Sequence, residues 1–464
     1  MSIGTGSGNH TGRYSGRPNW RDYQSRLRKT DTACRRPRII ALCLVSSVAA
    51  SVFIWALFGV PWGINADKRP HAPNIGPVPP DPASTPPIDK RAIQTVLKSG
   101  SWLNLEDNPL HAVLDDRPVV IHTSLDMPLQ RFLIGKLNPS TSKYIGIVAM
   151  DPASGSIRSM VGVDKTGSVE NLCTERLVPA ASVFKIVTAA AAMEACGLSP
   201  RSTLTYNGRK HTLYKSQLKD KTNRWTIRTT LEKSFAQSIN PVFGKIGIHY
   251  LGQDLLSKYA DGFGFNREIP FEIPVQTSCV FIGNEPYQWA EVASGFNRDT
   301  RISIVHGAMM AAAIANDGTL MEPTVVTQLT DGSGQVLYKS RPTVIRQVVS
   351  PEVSREMVDL MTATVRYGTS RKVFRKQHKD NILSKLTIGG KTGSINNRIH
   401  DARIDWFVGF AREQEGDGQL AVSVIVAHEK YIGTRAAEYA RLAIRQYFKE
   451  IETSRKQAPA APSE

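Results

Sequence analysis

Three short patterns in this 464-residue chain combine residue types capable of nucleophilic chemistry. Ser182-Val183-Phe184-Lys185 sets a hydroxyl and an amine three positions apart, a spacing that puts both on one face of a helix and within reach of each other. An adjacent base is what makes a serine nucleophilic. Ser238-Ile239-Asn240 follows at a helix break before Pro241, and Lys391-Thr392-Gly393 falls on a strand-like run approached by Gly389-Gly390. Each pattern has copies: Ser140 with Lys143 and Ser216 with Lys219 repeat the first, Ser7 to Asn9 and Ser394 to Asn396 the second, and Lys165 to Gly167 the third. Context separates them. Asn138-Pro139 makes Ser140 a turn residue, the charged run Lys215 to Lys221 puts Ser216 in solvent, and Lys165 precedes the serine and lacks the glycine approach. Only Ser182 has an Ala-rich apolar helix behind it.

The elements that must position these residues are legible from periodicity. Lys143 to Met150 and Ser156 to Val163 flank Asp151-Pro152-Ala153-Ser154-Gly155 and predict a β-hairpin. Pro179 to Ala195 predicts a helix stopped by Gly197, and further helices are expected over Thr230 to Ser238, Pro241 to Leu251, Ser303 to Asn316 and Pro351 to Tyr367. Strands are expected over Leu386 to Ser394, Asp405 to Ala411 and Leu420 to His428, then an amphipathic helix over Thr434 to Phe448. Strands at both ends with helices between predict an α/β (α+β) domain: one antiparallel sheet completed by the two chain ends, flanked by helices and carrying a helical insert. Trp406 and Phe407 are read as core, and His306 and His428 as structural.

Charge is unevenly placed. Of the net +17, residues 1–38 hold +7, from nine Lys or Arg against Asp22 and Asp31, with no hydrophobic periodicity. That segment is expected to be a disordered cytoplasmic tail. The 22 residues Ile39 to Val60 carry no charge and as a helix would span about 33 Å, against about 30 Å for a hydrocarbon core. This length exceeds the apolar stretch of a cleavable signal, so a single transmembrane helix is expected, and Arg35, Arg36 and Arg38 orient it with the N-terminus cytoplasmic and the remainder periplasmic. Eight prolines within Pro70 to Pro87 make 61–90 an extended linker. Beyond it come a short lead-in at 91–116, the main domain at 117–452 and a disordered tail at 453–464. Five scattered cysteines show no metal-ligand spacing, so no zinc module is expected; Cys173 with Cys196 is one conceivable bridge, a buried free thiol the more economical state for each. The basic tail has membrane lipid headgroups to meet and lacks a nucleic-acid-binding module, so no nucleic-acid partner is expected.

The ordered trio resembles the penicillin-binding proteins, the acyl-serine transpeptidases that crosslink peptidoglycan, and their β-lactamase relatives. Thr123-Ser124-Leu125-Asp126 with Gln130, the hairpin at Asp151, Gly262 to Phe265, Ala315-Asn316-Asp317-Gly318 with Pro323, and Asp405-Trp406-Phe407-Val408-Gly409 are similar to that family too, so that the likeness runs over roughly 117–450. The family's usual Thr after Lys-Thr-Gly is Ser394 here, and the region before residue 117 is shorter than a glycosyltransferase domain or the family's usual pedestal; the resemblance is nearest to the monofunctional class B proteins with a reduced N-terminal region.

The resemblance implies a D,D-transpeptidase whose Ser182 attacks the bond between the terminal D-alanines of a peptidoglycan stem peptide, leaving an acyl-enzyme, and whose Ser182 is acylated by β-lactam antibiotics. Lys185 would be the base, which requires its pKa to fall by about three units from about 10.4. Ser238 would relay a proton to the leaving amine, and Asn240 would bind the substrate backbone. Lys391 and Thr392 would hold the terminal carboxylate, and Gly393 would let substrate lie close along the strand. The backbone amides of Ser182 and Ser394 would form an oxyanion hole worth about 3 kcal/mol per donor. The implied mechanism needs no metal or organic cofactor, and a peptidoglycan polymerase is a conceivable partner. Three alternatives stay open: a D,D-carboxypeptidase, a serine β-lactamase with Glu272 as its water-activating carboxylate, and a non-catalytic β-lactam sensor or wall scaffold.

Overall fold

Strands covered on both faces read as near-continuous apolar runs, because neither set of alternating side chains reaches water. The computed structural model, which describes residues 89–97, 102–114, 116–397 and 401–457, places five such runs in one antiparallel sheet. In chain order these are β1 (Ser142–Met150), β2 (Ile157–Asp164), β3 (Leu386–Asn397), β4 (Ala402–Glu413) and β5 (Gln419–His428). Their order across the sheet is β3-β4-β5-β1-β2. The two chain ends meet where β5 pairs with β1, from Ala421 opposite Met150 to Ala427 opposite Tyr144, as the sequence led us to expect.

Alternation assigns the side chains to two cores. Tyr144, Val148, Trp406, Val408 and Ile425 join one cluster, while Ile145, Ile147, Phe407, Val422, Val424 and Val426 join the other. The first is covered by α1 (Lys185–Cys196) and α4 (Ile304–Ala315). Helix α4 is buried along its whole length, as an all-round apolar helix must be. The second is covered by α6 (Ala436–Gln457), whose Ala440, Ala443 and Ile444 face the sheet. This helix runs through Gln457, past Phe448 and past residue 452, where the sequence placed the end of the folded part.

Between the chain ends lie α2 (Leu231–Ala236), α3 (Asn240–Ile246) and α5 (Pro351–Arg366). Thr230 and Ser350 cap α2 and α5 by accepting from the amides of Lys233 and Val353, the N-terminal chemistry expected of these residues. The stretch expected as one helix over Pro241 to Leu251 is α3 followed by a wider turn at Gly247–Leu251. A second sheet joins Leu110–Leu114, Arg117–Thr123, Val326–Asp331 and Val336–Lys339, so the lead-in strand is tied into the same folded unit. Among the described residues no helix is long and apolar enough to cross a membrane. The tail at 1–38, the apolar run at 39–60 and the linker up to residue 88 lie outside them, as do residues 458–464.

One buried contact joins the sheet to the serine. The indole of Trp406, wholly buried on β4, donates through Nε1 to the carbonyl of Pro179 at 2.9 Å, three residues before Ser182. Trp406→Phe leaves that buried carbonyl without its donor, and is expected to cost about 1–3 kcal/mol, measured by the shift in a urea unfolding curve.

Candidate active site

The first four residues of the expected helix are wound more tightly than an α-helix. Ala181–Phe184 is a 3-10 turn, and α1 proper begins at Lys185. At three residues per turn, positions i and i+3 eclipse, which brings Ser182 Oγ and Lys185 Nζ to 2.9 Å. Entry to this turn is strained: Ala181 adopts φ 47, a left-handed conformation disfavoured for any residue with a Cβ. Gly295, with φ 65, packs beneath it, where an added Cβ would lie 1.8 Å from the Ala181 carbonyl oxygen.

Lys185 is completely buried and among the described residues has no carboxylate partner; its amine reaches Asn240 Oδ1 at 2.8 Å and the Ser294 carbonyl. Burial first, and the charge of Lys391 second, hold its pKa well below the usual lysine value. The amine also donates to Ser182 Oγ, so its three neighbours are all neutral oxygens.

Ser238 follows α2 in a left-handed conformation, φ 54, which turns the chain between α2 and α3 and presents Oγ to Lys391 Nζ at 3.0 Å. Lys391, on β3, is also completely buried and donates to the carbonyl of Thr392 at 2.9 Å. Burial pushes its pKa down to about 7. Two desolvated amines in one cleft cannot both carry charge cheaply, and the charge of Lys391 is one cause of the lowered pKa of Lys185.

Strand β3 is the free edge of the sheet and forms the opposite wall. A Cβ on Gly393 would come within 3.2 Å of the Ala180 carbonyl and of Val183, so this glycine lets the strand approach the nucleophile turn; the room it makes is against protein. The hydroxyl of Ser394 is exposed and accepts from Arg403 Nε on β4 at 3.2 Å. Asn240, expected to hold substrate, spends its side chain on the protein: Oδ1 on Lys185, and Nδ2 donating to the His211 carbonyl at 3.2 Å. One amide hydrogen remains available.

All the residues named from the sequence, Ser182, Lys185, Ser238, Asn240 and Lys391 to Ser394, thus belong to one cleft. Ser294 and Gly295 escaped notice, although Gly295 closes a helix over Pro286–Ser294 and a glycine after an apolar helix is a recognisable stop signal. Thr369 escaped as well. Its Oγ1 lies 2.5 Å from Thr392 Oγ1, and its amide donates to the Ala236 carbonyl at the end of α2. It therefore joins the Ser238 turn to β3 and orients the Thr392 hydroxyl. His211 lies at the same rim, with its ring bonded to the Ser238 carbonyl; burial first, despite that bond, lowers its pKa.

Glu272 is elsewhere. Its wholly buried carboxylate accepts from Thr324 Oγ1 at 2.6 Å and from the Val325 amide at 3.1 Å. His306 is buried on the Phe263 carbonyl, and burial lowers its pKa to about 4. Cys173 and Cys196 are thiols with no bridge between them.

A buried serine–lysine pair, a Ser-x-Asn turn and a Lys-Thr-Gly edge strand, set on a five-stranded antiparallel sheet, define a lysine-assisted active-serine type of domain. Residues 145–447 match the family described as penicillin binding protein transpeptidase domain, and the chain belongs to that family. It is 25% identical over 323 residues to the peptidoglycan D,D-transpeptidase PbpA of Mycolicibacterium smegmatis, covering 60% of this chain and 61% of that one. It is also 25% identical over 331 residues to stage V sporulation protein D of Bacillus subtilis, covering 66% of this chain and 49% of that one. The chain thus spans about half to three-fifths of the length of these relatives. Among solved structures, the D,D-transpeptidase domain of a peptidoglycan glycosyltransferase from Eggerthella lenta superposes with a TM-score of 0.60 at 22% identity, over 72% of this chain and 84% of that one. The penicillin G acyl-enzyme complex of penicillin-binding protein A from Mycobacterium tuberculosis gives 0.56 at 20% identity, over 72% and 80%. These two establish likeness of fold.

Two outcomes test the geometry. Lys391 binds its proton less tightly folded than unfolded, so both states are protonated below about pH 7, while between about 7 and 10 only the unfolded chain keeps the proton. Stability of the wild type should therefore gain from this group as pH rises through that window, a gain absent from Lys391→Met when urea midpoints are compared at pH 6 to 10. Thr369→Val should slow labelling by a fluorescent penicillin about tenfold, the worth of about one hydrogen bond, without shifting the melting temperature, and Thr369→Ser should restore the rate.

Proposed function

We propose that this protein is a peptidoglycan D,D-transpeptidase, anchored in the cytoplasmic membrane with its catalytic domain outside, that works through an acyl-serine intermediate and is acylated by penicillin. The observation that carries the reading is the buried amine of Lys185, 2.9 Å from Ser182 Oγ and otherwise held by the neutral oxygens of Asn240 and Ser294. Family membership and the printed name of the mycobacterial relative, a peptidoglycan D,D-transpeptidase, support the same reading. So does the acyl-enzyme complex with penicillin G among the proteins of like fold.

In the proposed reaction Lys185 takes the Ser182 proton as Oγ adds to the carbonyl between the two terminal D-alanines. Backbone amides of Ser182 and Ser394 receive the oxyanion. The substrate's terminal carboxylate meets Lys391, which is cationic once that charge is beside it, and the Thr392 hydroxyl held by Thr369. As the C–N bond breaks, Ser238 gives its hydroxyl proton to the departing D-alanine amine and takes a replacement from Lys391, which already donates to it. An ester on Ser182 remains. An amine from a second stem peptide then attacks it, its lost proton returns through Ser238 to Lys391, and Lys185 gives the Ser182 proton back to the released serine. The remaining Asn240 amide hydrogen is available to the substrate backbone, while its oxygen keeps Lys185 in place.

Glu272, sequestered behind Thr324 and Val325, favours slow release of the penicilloyl ester over the fast hydrolysis of a β-lactamase. The expected outcome is covalent labelling by a fluorescent penicillin that Ser182→Ala abolishes, with an adduct lasting minutes or longer. With a D-Ala-D-Ala pentapeptide and an added D-amino acid, mass spectrometry should detect exchange of the terminal residue. Labelling that survives Ser182→Ala, or turnover of the penicillin within seconds, overturns the proposal.

A further inference from the structure

The charge beyond the N-terminal segment is itself concentrated. Between Arg209 and Arg228 the chain has seven Lys or Arg and one acid, Asp220, so that these 20 residues carry +6. Asp220 is already taken, its carboxylate lying 3.5 Å from Lys245 on α3. Among the described residues none of the seven cations pairs with a carboxylate, and every one is exposed. Leaving so many like charges unpaired on one loop is unfavourable without a counter-charge.

The loop is built as a platform. Strands Thr203–Tyr206 and Ile227–Thr230 pair at its base. At its centre the buried Gln217 donates to the carbonyls of Asn207 at 2.8 Å and Arg209 at 3.2 Å and accepts from the Tyr214 amide at 3.0 Å. Tyr287 Oη donates to the Leu213 carbonyl at 2.8 Å from beneath. One edge belongs to the active cleft, since the carbonyls of Lys210 and His211 accept from the backbone and side-chain amides of Asn240 at 2.7 and 3.2 Å. On the outer surface lies a shallow depression of about 280 Å³ lined by Lys215, Leu218, Lys219, Ile248, His249 and Tyr287. Its floor is apolar and its rim holds two ammonium groups. Such a recess suits a ligand that combines a carboxylate with small apolar side chains.

We propose that this platform is a docking site for a second, carboxylate-bearing stem peptide, belonging to a neighbouring wall strand, with its carboxylate between Lys215 and Lys219 and its apolar side chains over Leu218 and Ile248. The proposal rests on the reading of the cleft as a transpeptidase. A reaction that joins two stems gains from holding both, because a tethered partner acts at high effective concentration. An anionic membrane surface would meet the same charge, but the recess and its continuity with Asn240 favour a discrete peptide.

The test uses the full chain in detergent, saturated with penicillin so that the cleft itself is blocked, and measures co-sedimentation with purified peptidoglycan sacculi. Lys215→Glu with Lys219→Glu should weaken binding at least tenfold, Lys215→Gln with Lys219→Gln less. Penicillin labelling and melting temperature should stay unchanged, which separates a failed platform from a misfolded variant. Amidating the sacculus carboxylates should weaken wild-type binding to the level of the Glu variant. Equal binding by wild type and Glu variant, indifference to amidation, or competition by anionic lipid added as mixed micelles as effective as soluble sacculus fragments overturns the platform. Loss of wild-type penicillin labelling would instead overturn the reading of the cleft, and the labelling assay reads that separately.

Discussion

Two amines, Lys185 and Lys391, are removed from water without a carboxylate among the described residues to balance either, and the rest of the cleft can be understood as what makes that tolerable. Burying an isolated charge is prohibitive, so a group in this position lowers its pKa and sheds the proton. A carboxylate partner would have been cheaper, but it would have kept Lys185 protonated and unable to accept. What surrounds the amine is therefore a set of neutral oxygens, the Asn240 carboxamide and the Ser294 carbonyl. Each accepts a hydrogen bond without raising the pKa as an anion would.

That requirement reaches into the fold. Neutral oxygens hold an amine only if their own positions are fixed, and each is fixed by a different element. Asn240 is the first residue of α3 and is clamped from outside by the Lys210 and His211 carbonyls. Ser294 ends its helix just before Gly295, which must be glycine because a Cβ there would enter the Ala181 carbonyl. The nucleophile turn is anchored in turn through Pro179 to Trp406 on the sheet. Left-handed conformations at Ala181 and Ser238 cost about 1–3 kcal/mol each. The buried sheet supplies the rigidity that sustains them, and closing it with both chain ends places β3 beside a turn more than 200 positions earlier.

The parts of this design that show in a sequence are those made by side-chain type and period. Two-sided burial of β1, β4 and β5 is written as apolar runs, and the Ser-Lys, Ser-x-Asn and Lys-Thr-Gly patterns are written as residue types in order. The backbone's contributions are not written there. The Ser294 and His211 carbonyls act through atoms every residue possesses, so nothing in their identity marks them. The 3-10 winding at Ala181–Phe184 is set by strain imposed from Gly295 and Trp406, far away in the chain, whereas local composition favours an ordinary helix start. Thr369 has a side chain to notice, but a threonine after Gly368 has no periodic or motif context; only its contact with Thr392 gives it meaning. The second sheet pairs residues 117–123 with 326–331, and strand pairing at that separation has no local signature.

Charge ties the cleft to its surroundings in a way that the total of +17 conceals. A cation near Lys185 lowers that amine's pKa and so favours its neutral form, while a crowd of like charges in one cleft repels itself. The structure spreads the basic groups by distance. One amine, Lys391, stands inside with its pKa pushed down to about 7 by burial. Arg403 stands at the exposed end of β3, where Ser394 in place of the family's usual threonine accepts its Nε at 3.2 Å. The larger excess is held on the 209–228 loop, exposed to solvent and salt, where screening over about 10 Å lets it attract anions without acting strongly on Lys185. The neutral base and the basic surface are consistent with each other only because Asn240, the residue that joins them, carries no charge of its own.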